Sequence, residues 1–338
     1  MKVTFYHKYD SLAASYRYRF QQFFPYLEED GIQIKTHSFF SNEDLKQIFS
    51  HKRKALSLIG NYIQRAQALY EDSSDLRVVY MDALPYIPYA LEKALLKEPY
   101  VLDLDDAIFL KYQRYFFLKN KFPRLFKRAK RILAGSSFIY DEVKKYTDKV
   151  VYAPTVVDLD YYSSQKKEVG APLTVGWMGS PSTSWFLKFL QPLFEEMSDF
   201  RFLIIGADNN LNLGNVKNLE LRPWSEERER EDLLEFDIGI MPLENDLWSR
   251  GKCGFKLLQY MACGIPVIAS PVGANLKIVE HGENGFLASS LEDWKKSFEY
   301  YKAYPEKILS MGKRGRKKVE EEFSLQVWAP RVKDFILS

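Results

Sequence analysis

The sequence predicts an α/β protein built from two doubly wound parallel-sheet domains that face each other across a cleft. Three observations support this fold class. Apolar strand-like runs alternate with helical patterns in the first half of the chain, the same alternation resumes in the second half, and a polar, turn-rich segment separates the two. Such alternation is typical of parallel sheets covered by helices on both faces. The 338 residues suffice for two domains of ordinary size.

We expect residues 1–157 to form the first domain and residues 173–322 the second. Residues 158–172 contain a Ser-Ser-Gln-Lys-Lys run at 163–167 and read as the linker between them, because polar clusters of this kind separate periodic segments. A final amphipathic helix, at about residues 323–338, is expected to pack back on the first domain.

Hydrophobic periodicity gives the individual elements. The predicted strands of the first domain are residues 3–7, 32–37, 77–81, 100–104, 131–134 and 149–152. Those of the second are residues 173–178, 201–205, 216–221, 237–241, 266–270 and 285–288. The clearest helical patterns cover residues 15–29, 182–197, 225–235, 254–263, 291–301 and 305–322. The carboxyl ends of strands in two such sheets are where ligands bind.

The bulk composition excludes several classes of protein. No run approaches the roughly 18 apolar residues of a membrane span, and the first six residues are too short and strand-like for a signal peptide. Two cysteines, Cys253 and Cys263, make no disulfide framework, so we expect a cytoplasmic protein. The histidines, His7, His37, His51 and His281, show no zinc spacing, and no metal site is predicted.

The net charge of +3 conceals an asymmetry between the two halves. Residues 1–150 hold 25 Lys and Arg against 18 Asp and Glu, and the segment from Lys111 to Arg131 concentrates basic residues among aromatic ones without a single acid. The segment is either a solvated helix with its aromatic residues in the core, or a contact with an anionic membrane surface that would make the protein peripheral at the inner face of the cytoplasmic membrane. The nearly neutral overall balance argues against a dedicated nucleic-acid binder.

Residues 250–273 carry the most informative pattern of the chain. They read as a glycine-bearing loop, a helix, a buried strand and a second small-residue turn. The first N–H groups of a helix have no intrahelical partner and carry the positive end of the dipole, which favours an anion there. Lys252, Lys256 and Gln259 are spaced to share one face of this helix or of the loop leading into it. Two cations followed by a neutral amide suit a diphosphate that links a sugar to a ribose.

A second candidate lies at residues 176–183, Gly-Trp-Met-Gly-Ser-Pro-Ser-Thr, directly after a predicted strand. Gly179 allows close backbone approach, and Ser182 or Thr183 is placed to cap the next helix. The segment is either a phosphate cradle or ordinary turn chemistry. It lacks the Walker lysine and the full dinucleotide glycine pattern, which disfavours an ATPase or a dehydrogenase.

Charged side chains also follow strands of the first domain. Asp103, Asp105 and Asp106 end one strand, and they are candidates for capping the helix beginning near residue 107, for orienting acceptor hydroxyls, or for binding a metal. Arg17 and Arg19 follow the first strand, where either can meet a ligand phosphate or serve a structural role.

Residues 176–285 resemble the donor-binding domain of GT-B glycosyltransferases of family 4, which are retaining and nucleotide-sugar dependent. The matching pieces, in order, are residues 176–183, 236–243, 252–273 and 278–286. The N-terminal half matches loosely, through residues 14–19 and 103–107, and the resemblance makes it the acceptor-binding domain. The implied reaction moves a sugar from a nucleoside diphosphate to a glycan or lipid-linked acceptor, with Arg17, Arg19, Asp103, Asp105 and Asp106 as acceptor-side candidates.

The resemblance also implies residue roles. Lys252 and Lys256 are the expected diphosphate ligands and catalytic residues, and Gln259 aligns with the glutamate that holds the donor ribose in relatives. The other family glutamate aligns with Gly251. The remaining donor contacts would be Gly179, Ser180, Arg222, Trp224, Arg250, Gly254, Phe255 and Gly273, with a core role as the alternative for Trp224. Fixed lysines and helix N–H groups can stabilise a leaving phosphate without a metal or other cofactor.

Two other functions remain open at this point. A nucleotide-sugar epimerase of the same fold would isomerise its donor in the absence of an acceptor. A non-catalytic nucleotide-sugar-binding subunit, suggested by Gly251 and Gln259 at the usual glutamate positions, would bind the donor without releasing a nucleoside diphosphate.

Overall fold

The computed structural model describes residues 1–49, 55–163, 165–166 and 168–338. His51, Ser164 and Lys167, which enter the sequence predictions above, lie outside these residues. The chain divides into two compact units. The first comprises Met1–Val156 with Gly251–Cys253 and Trp328–Ser338, and the second comprises Val157–Arg250 and Gly254–Val327. Each unit is built on one six-stranded parallel sheet.

The first sheet has the strand order β2-β1-β3-β4-β5-β6. Its strands are β1 (Lys2–Tyr9), β2 (Gln33–Phe40), β3 (Leu76–Tyr80), β4 (Tyr100–Leu104), β5 (Arg131–Ala134) and β6 (Val150–Tyr152). In β1, Val3 pairs with Ile34 on one side and with Leu76 on the other. Every residue of β3 and β4 is buried, as expected for central strands with both faces covered.

Eight α-helices surround this sheet in the described part of the chain. They are α1 (Ala14–Arg19), α2 (Phe24–Glu28), α3 (Asn42–Phe49), α4 (Ala55–Glu71), α5 (Tyr89–Leu95), α6 (Phe109–Tyr112), α7 (Lys121–Arg128) and α8 (Ser137–Lys144). The single helix predicted over residues 15–29 is wrong: it is broken into α1, a 3-10 turn at Gln21–Phe23, and α2. Pro25 lies in the first turn of α2, where its missing N–H does no harm, but it cannot continue an earlier helix.

The second sheet has the strand order β12-β11-β10-β7-β8-β9. Its strands are β7 (Thr174–Met178), β8 (Arg201–Ile205), β9 (Leu219–Arg222), β10 (Ile238–Met241), β11 (Val267–Ala269) and β12 (Gly285–Leu287). All pairings in both sheets are parallel. The twelve predicted strands agree with these to within three residues at either end, and the predicted α/β class is confirmed.

The helices of the second unit are α9 (Gln191–Glu196), α10 (Glu229–Leu234), α11 (Leu247–Arg250), α12 (Phe255–Ala262), α13 (Asn275–Ile278), α14 (Leu291–Ala303) and α15 (Glu306–Glu322). The core between sheet and helices includes Trp177, Ile204, Ile240, Ile268 and Trp294, each at most 2% exposed. Between residues 158 and 172, the described residues form no helix or strand, and they belong to the second unit.

One predicted helix of this unit differs in kind. Residues 182–197 form a ten-residue 3-10 run, Pro181–Leu190, followed by the short helix α9. Pro192 opens α9, and a proline there disfavours α-helical geometry in the preceding turn. The predicted cap at Ser182 or Thr183 is also wrong: Ser180 precedes the 3-10 run without a side-chain cap, and Thr183 donates to the Ser180 carbonyl at 3.1 Å.

The last helix, α16 (Leu325–Leu337), contributes residues 328–337 to the first unit. Within that unit the Trp328 ring lies edge-on to Tyr152 at 5.9 Å between centroids. The Lys130 ammonium donates to the Leu337 carbonyl at 2.9 Å, and Lys333 pairs with Asp30 at 2.8 Å.

The basic and aromatic segment from Lys111 to Arg131 divides into buried and exposed parts. Tyr112, Phe122 and Phe126 are at most 2% exposed and belong to the core. Lys121 is only 1% exposed and lies 2.6 Å from both Asp82 and Glu92, so its inclusion among the surface cations is wrong. The exposed remainder of the segment is centred on Phe116 and Phe117.

Candidate functional site

The helix α12 is held against the end of β7 by Tyr260. Its phenol oxygen accepts a hydrogen bond from the Met178 N–H at 2.9 Å, and burial raises the pKa of Tyr260 well above its ordinary value. Lys256 lies one turn earlier on the same helix, since residues four apart share a face. Gly254 precedes the helix in the left-handed region, at a φ of 73°. The position of Lys256 relative to β7 is therefore fixed by the packing of Tyr260.

Gly179, the residue after β7, allows the Lys256 side chain to lie directly over the strand end. A Cβ atom at position 179 would stand 2.5 Å from Lys256 Cε and 2.6 Å from the Trp177 ring. The Lys256 ammonium lies 5.2 Å from the centroid of that ring. Any side chain at position 179 would displace Lys256. The close approach to the backbone that the sequence predicts at Gly179 is thus made by the Lys256 side chain.

The carboxyl ends of β7, β8 and β9 bring several predicted donor contacts together. The Gly179 N–H donates to the Ile205 carbonyl at 3.0 Å, and the Gly206 N–H donates to the Arg222 carbonyl at 2.9 Å. A Cβ atom at Gly206 would lie 3.0 Å from Trp224 Cβ. Parallel sheets bind ligands at this edge. Gly179, Trp224 and Lys256 therefore share one region of the second unit.

Gln259 lies in a buried polar cluster with residues that the sequence did not single out. Its Nε2 donates to the Tyr162 hydroxyl at 2.7 Å and to Glu229 Oε1 at 3.1 Å. Tyr162 also donates to Glu229 at 2.7 Å, and Trp224 Nε1 donates to the second Glu229 oxygen at 2.9 Å. Gln259, Tyr162 and Glu229 are each at most 5% exposed. We call this set, Tyr162, Trp224, Glu229 and Gln259, the Glu229 cluster.

Arg222 is occupied within the unit. Its guanidinium pairs with Glu220 at 2.6 Å and with Asp232 and Glu235 at 2.5 Å each. Hydrogen bonds to Glu235 and the other two carboxylates raise the pKa of Arg222. The charge of the Arg222 side chain is thus matched by three acids, and a donor contact through its backbone stays a prediction.

The other residues of the loop before α12 are divided between the units. In the second unit, Arg250 is exposed, donates to Asn245 Oδ1 at 2.9 Å, and abuts Gly273, where a Cβ would stand 2.5 Å from the Arg250 carbonyl oxygen. Lys252 belongs to the first unit and lies 3.7 Å from Asp106. It precedes α12 by three residues, so of the three predicted face residues only Lys256 and Gln259 are helical.

Gly251, where relatives were expected to carry a glutamate, has no room for a side chain. A Cβ atom there would lie 2.5 Å from the Ala107 Cβ and 3.0 Å from the Ala107 nitrogen, both in the first unit as Gly251 is. Such distances are too short for any side chain without movement of the backbone. The absence of a carboxylate at position 251 is therefore built into the local packing.

Two of the acceptor-side candidates neutralise each other. Arg19 and Asp103 are 7% and 1% exposed and form a two-pronged ion pair, with Arg19 Nε donating to Asp103 Oδ2 at 3.0 Å. Arg19 also donates to the Ala153 carbonyl at 2.8 Å. This pair joins α1, β4 and the end of β6, so both charges are engaged in a structural role, which was the alternative for Arg19. Arg17 is partly buried beside the Tyr18 ring.

Asp105 and Asp106 remain partly exposed after the end of β4. Burial, with the neighbouring charge of Asp106, raises the pKa of Asp105 to about 7, although Arg19 opposes the shift. The Tyr80 hydroxyl donates to Asp105 at 2.5 Å, and burial together with the charge of Asp105 raises the pKa of that phenol. The predicted cap is not seen, since α6 begins after Ile108 without a side-chain cap.

The described residues offer neither a cluster suited to a metal ion nor a helix suited to spanning a membrane. No group of three or more His, Cys, Asp and Glu side chains there is arranged to hold a metal ion. Within the same residues, no helix combines the length and the low polarity required to cross a membrane.

Residues 170–299, which belong to the second unit except for Gly251–Cys253, match the family model described as Glycosyl transferases group 1. Along 98% of its length the chain superposes on 97% of sucrose-phosphate synthase from Thermosynechococcus elongatus, with a TM-score of 0.73 at 13% identity. It superposes at 99% coverage on 98% of Anabaena HepE, solved in complex with UDP-glucose, with a TM-score of 0.72 and 13% identity. The fold is GT-B.

Sequence similarity to curated proteins is confined to parts of the chain. A stretch of 109 residues is 34% identical to the GDP-Man:Man(3)GlcNAc(2)-PP-Dol alpha-1,2-mannosyltransferase of Dictyostelium discoideum, covering 29% of this chain and 22% of that protein. The chain spans between 22% and 45% of the length of the curated relatives it matches. The family-model match at residues 170–299 includes α12.

Proposed function

We propose that this protein is a retaining glycosyltransferase that moves a sugar from a nucleoside-diphosphate donor to a glycan or lipid-linked acceptor. The observation that carries the proposal is the placement of Lys256 in the first turn of α12, against the glycine that ends β7. An ammonium group at a helix N-terminus, beside the end of a strand, is suited to binding a diphosphate. The match of residues 170–299 to the glycosyltransferase model supports this choice.

The chemistry follows from where charge develops. The bond between the sugar C1 and the β-phosphate oxygen breaks, and a bond between C1 and the acceptor oxygen forms on the same face. The acceptor's hydroxyl proton passes to the departing diphosphate. Lys256 and the first N–H groups of α12 stabilise the negative charge that grows on that phosphate, and they do so without a metal. Lys252 is proposed as the second cation of the diphosphate, and Arg250 as a further donor contact.

The nucleoside is proposed to lie along the edge formed by Gly179, Ser180, the Arg222 backbone and Trp224. In this proposal Gln259 and Glu229 define the polar end of the nucleoside site, and Phe255, Gly254 and Gly273 line the phosphate end. Asp105 and Asp106 are the proposed acceptor contacts, because both remain partly exposed and the pKa of Asp105 is raised to about 7. A half-ionised carboxyl can accept a hydrogen bond from an acceptor hydroxyl near neutral pH.

Thermal unfolding with a panel of nucleoside diphosphates tests donor binding first. A ligand at a hundred times its dissociation constant stabilises the fold by about 2.7 kcal/mol, which raises the melting temperature of a unit of this size by roughly 5–10 °C. We expect one base to give this shift and its diphosphate sugar to be consumed when acceptor is added. If no nucleoside diphosphate changed the melting temperature, the proposal would be wrong.

The same assay separates the two alternatives. An epimerase would convert the stabilising donor into an isomer with no acceptor present. A binding subunit would be stabilised by the donor but release no nucleoside diphosphate with any acceptor. Either result would replace transfer as the function, while leaving the diphosphate site at α12 in place.

A further inference from the structure

The loop between α6 and α7, residues 113–120, exposes three consecutive aromatic side chains. Tyr115, Phe116 and Phe117 are 45%, 84% and 66% exposed. Among the large apolar side chains that the structure describes, that of Phe116 is the most exposed. Exposed apolar residues scattered singly need no explanation, but a contiguous group of aromatic rings on a turn marks a contact surface. We call residues 113–120 the aromatic loop.

Both ends of the aromatic loop are fixed in the interior of the first unit. Before it, the Tyr112 hydroxyl donates to Asp82 at 2.7 Å and accepts a hydrogen bond from the Tyr86 N–H at 2.9 Å. Leu118, inside the loop, is 1% exposed. After it, the buried Lys121 ammonium is held by Asp82 and Glu92. Because these anchors occupy the interior, the rings of Phe116 and Phe117 project from a rigid base.

The charged residues of the loop and of its sequence neighbours are all basic. No Asp or Glu occurs in residues 107–140. Three of the basic residues there are engaged elsewhere: Lys121 as described, Arg128 with Glu98, and Lys130 with the Leu337 carbonyl. Five others are exposed, in the loop or close to it in the sequence, namely Lys111, Arg114, Lys119, Arg124 and Lys127. The Lys119 ammonium lies 4.9 Å from the centroid of the Phe116 ring, so cation and ring form one amphipathic surface.

We propose that the aromatic loop anchors the protein to an anionic bilayer, with Phe116 and Phe117 entering the boundary between headgroups and acyl chains. The surrounding cations would lie at the level of the lipid phosphates, which is how basic and aromatic residues divide an interface. Charge complementarity selects this partner, because exposed cations in and beside the loop, together with the projecting rings, match a negatively charged surface. Anchoring is independent of transfer chemistry. Only the suggestion that anchoring brings the protein to a lipid-linked acceptor rests on the proposed function.

Sedimentation with vesicles tests the anchor without any donor or acceptor. We expect the full chain to bind phosphatidylcholine vesicles that contain phosphatidylglycerol, to bind them less at high salt, and to bind pure phosphatidylcholine weakly. Phe116→Ser with Phe117→Ser should weaken binding by about tenfold or more, since two buried rings are lost. Tyr70→Ser, at an aromatic residue that is 73% exposed on α4, is the matched control and should bind normally.

A charge variant separates the two contributions. Neutralising Arg114, Lys119 and Lys127 to Gln should remove most of the binding to anionic vesicles, whereas Lys145→Gln, Lys296→Gln and Lys313→Gln together should not. Equal losses from both triple variants would mean that overall charge, and not the aromatic loop, attracts the protein to the vesicle, and would overturn the proposal. Melting temperatures of all variants should match that of the natural chain, because these side chains are exposed.

Insertion itself is read from a dye at position 116. In a Cys253→Ser background, Phe116→Cys labelled with a polarity-sensitive fluorophore should brighten and shift to the blue on anionic vesicles, and Tyr70→Cys labelled in the same way should not. Binding without this change would refute insertion. Loss of a dimer in light scattering on Phe116→Ser with Phe117→Ser, without loss of vesicle binding, would identify a protein interface instead. Tighter binding to single-stranded nucleic acid than to vesicles would likewise overturn the proposal.

Discussion

Replacing Gln259 by glutamate would place a second carboxylate inside the Glu229 cluster. The natural amide donates from Nε2 to the Tyr162 hydroxyl at 2.7 Å and to Glu229 Oε1 at 3.1 Å. An ionised carboxylate has no donor to offer, so both hydrogen bonds are lost and two negative charges face each other in a buried site. We therefore expect Gln259→Glu to destabilise the second unit.

Two quantities set the size of this destabilisation: the repulsion between the two carboxylates and the free-energy cost of protonating one of them. Two charges 3.1 Å apart repel by about 5 kcal/mol at an effective dielectric constant of about 20. Protonating one acid avoids this repulsion, and at pH 7 that costs at most about 3.7 kcal/mol for a glutamate with an ordinary pKa of about 4.3. The expected loss is thus about 3–4 kcal/mol at pH 7, which lowers the melting temperature by roughly 6–16 °C.

The pH dependence gives the sign of the effect. A carboxyl whose folded-state pKa is raised destabilises the fold above its unfolded pKa of about 4.3, and the loss disappears as the pH falls toward that value. Chemical unfolding of Gln259→Glu and the natural chain should therefore differ most above pH 7 and least near pH 4.5. The double variant Gln259→Glu with Glu229→Gln exchanges the acid and the amide, and should recover most of the stability.

A Gln259→Glu chain as stable as the natural one at pH 7 would refute the cluster as described. A loss of stability that did not change between pH 4.5 and pH 7 would refute the electrostatic cause and point to packing instead. Failure of the exchanged double variant to recover stability would show that the two positions are not in contact.

Three further outcomes follow from the site. Tyr260→Phe leaves the buried Met178 N–H without its acceptor, so it should cost about 1–3 kcal/mol in chemical unfolding and weaken nucleotide binding, while Tyr304→Phe, at an exposed tyrosine, should change neither. Arg19→Met should cost about 3–5 kcal/mol by leaving Asp103 buried and unpaired, and Arg19→Met with Asp103→Leu should be closer to the natural chain in a double-mutant cycle; additive losses would contradict the pairing. Asp105→Asn should stabilise the protein by about 1–2 kcal/mol at pH 8 and have no effect near pH 4, because the folded-state pKa of Asp105 is raised to about 7. Partial exposure of Asp105 limits the size of this gain, and a variant less stable than the natural chain at pH 8 would contradict the prediction.

The two sheets were predictable because their central strands are buried on both faces. Runs such as β4 and β8 are short, apolar and bounded by turn residues, so periodicity alone located them. The breaks at Pro25 and Pro192 were visible in the sequence but were outweighed by the helical pattern around them. At both prolines the backbone restrictions of proline, and not the hydrophobic periodicity, determine where the helix is interrupted.

Features of the candidate site that depend on local sequence patterns could be predicted. Those that depend on contacts between residues distant in the sequence could not. Lys256 and Gly179 follow from the pattern of a helix start and a strand end. Glu229 lies in a run of seven charged residues at 226–232 that reads as a solvated helix face, and nothing local marks it as buried. Arg19 and Asp103 are 84 positions apart, and the fold of the first unit brings them together. The residues next to each of them in the sequence do not indicate this pairing.

The central claim is that the Lys256 ammonium, held over Gly179, binds the diphosphate of the donor. Isothermal titration of Lys256→Ala with the nucleoside diphosphate that stabilises the natural chain tests it most directly, with Lys296→Ala as the control. A charge-assisted contact of about 1.5–3 kcal/mol predicts an affinity roughly 10- to 150-fold weaker for Lys256→Ala, with an unchanged melting temperature in the absence of nucleotide. Unchanged affinity in a folded Lys256→Ala protein would contradict the account.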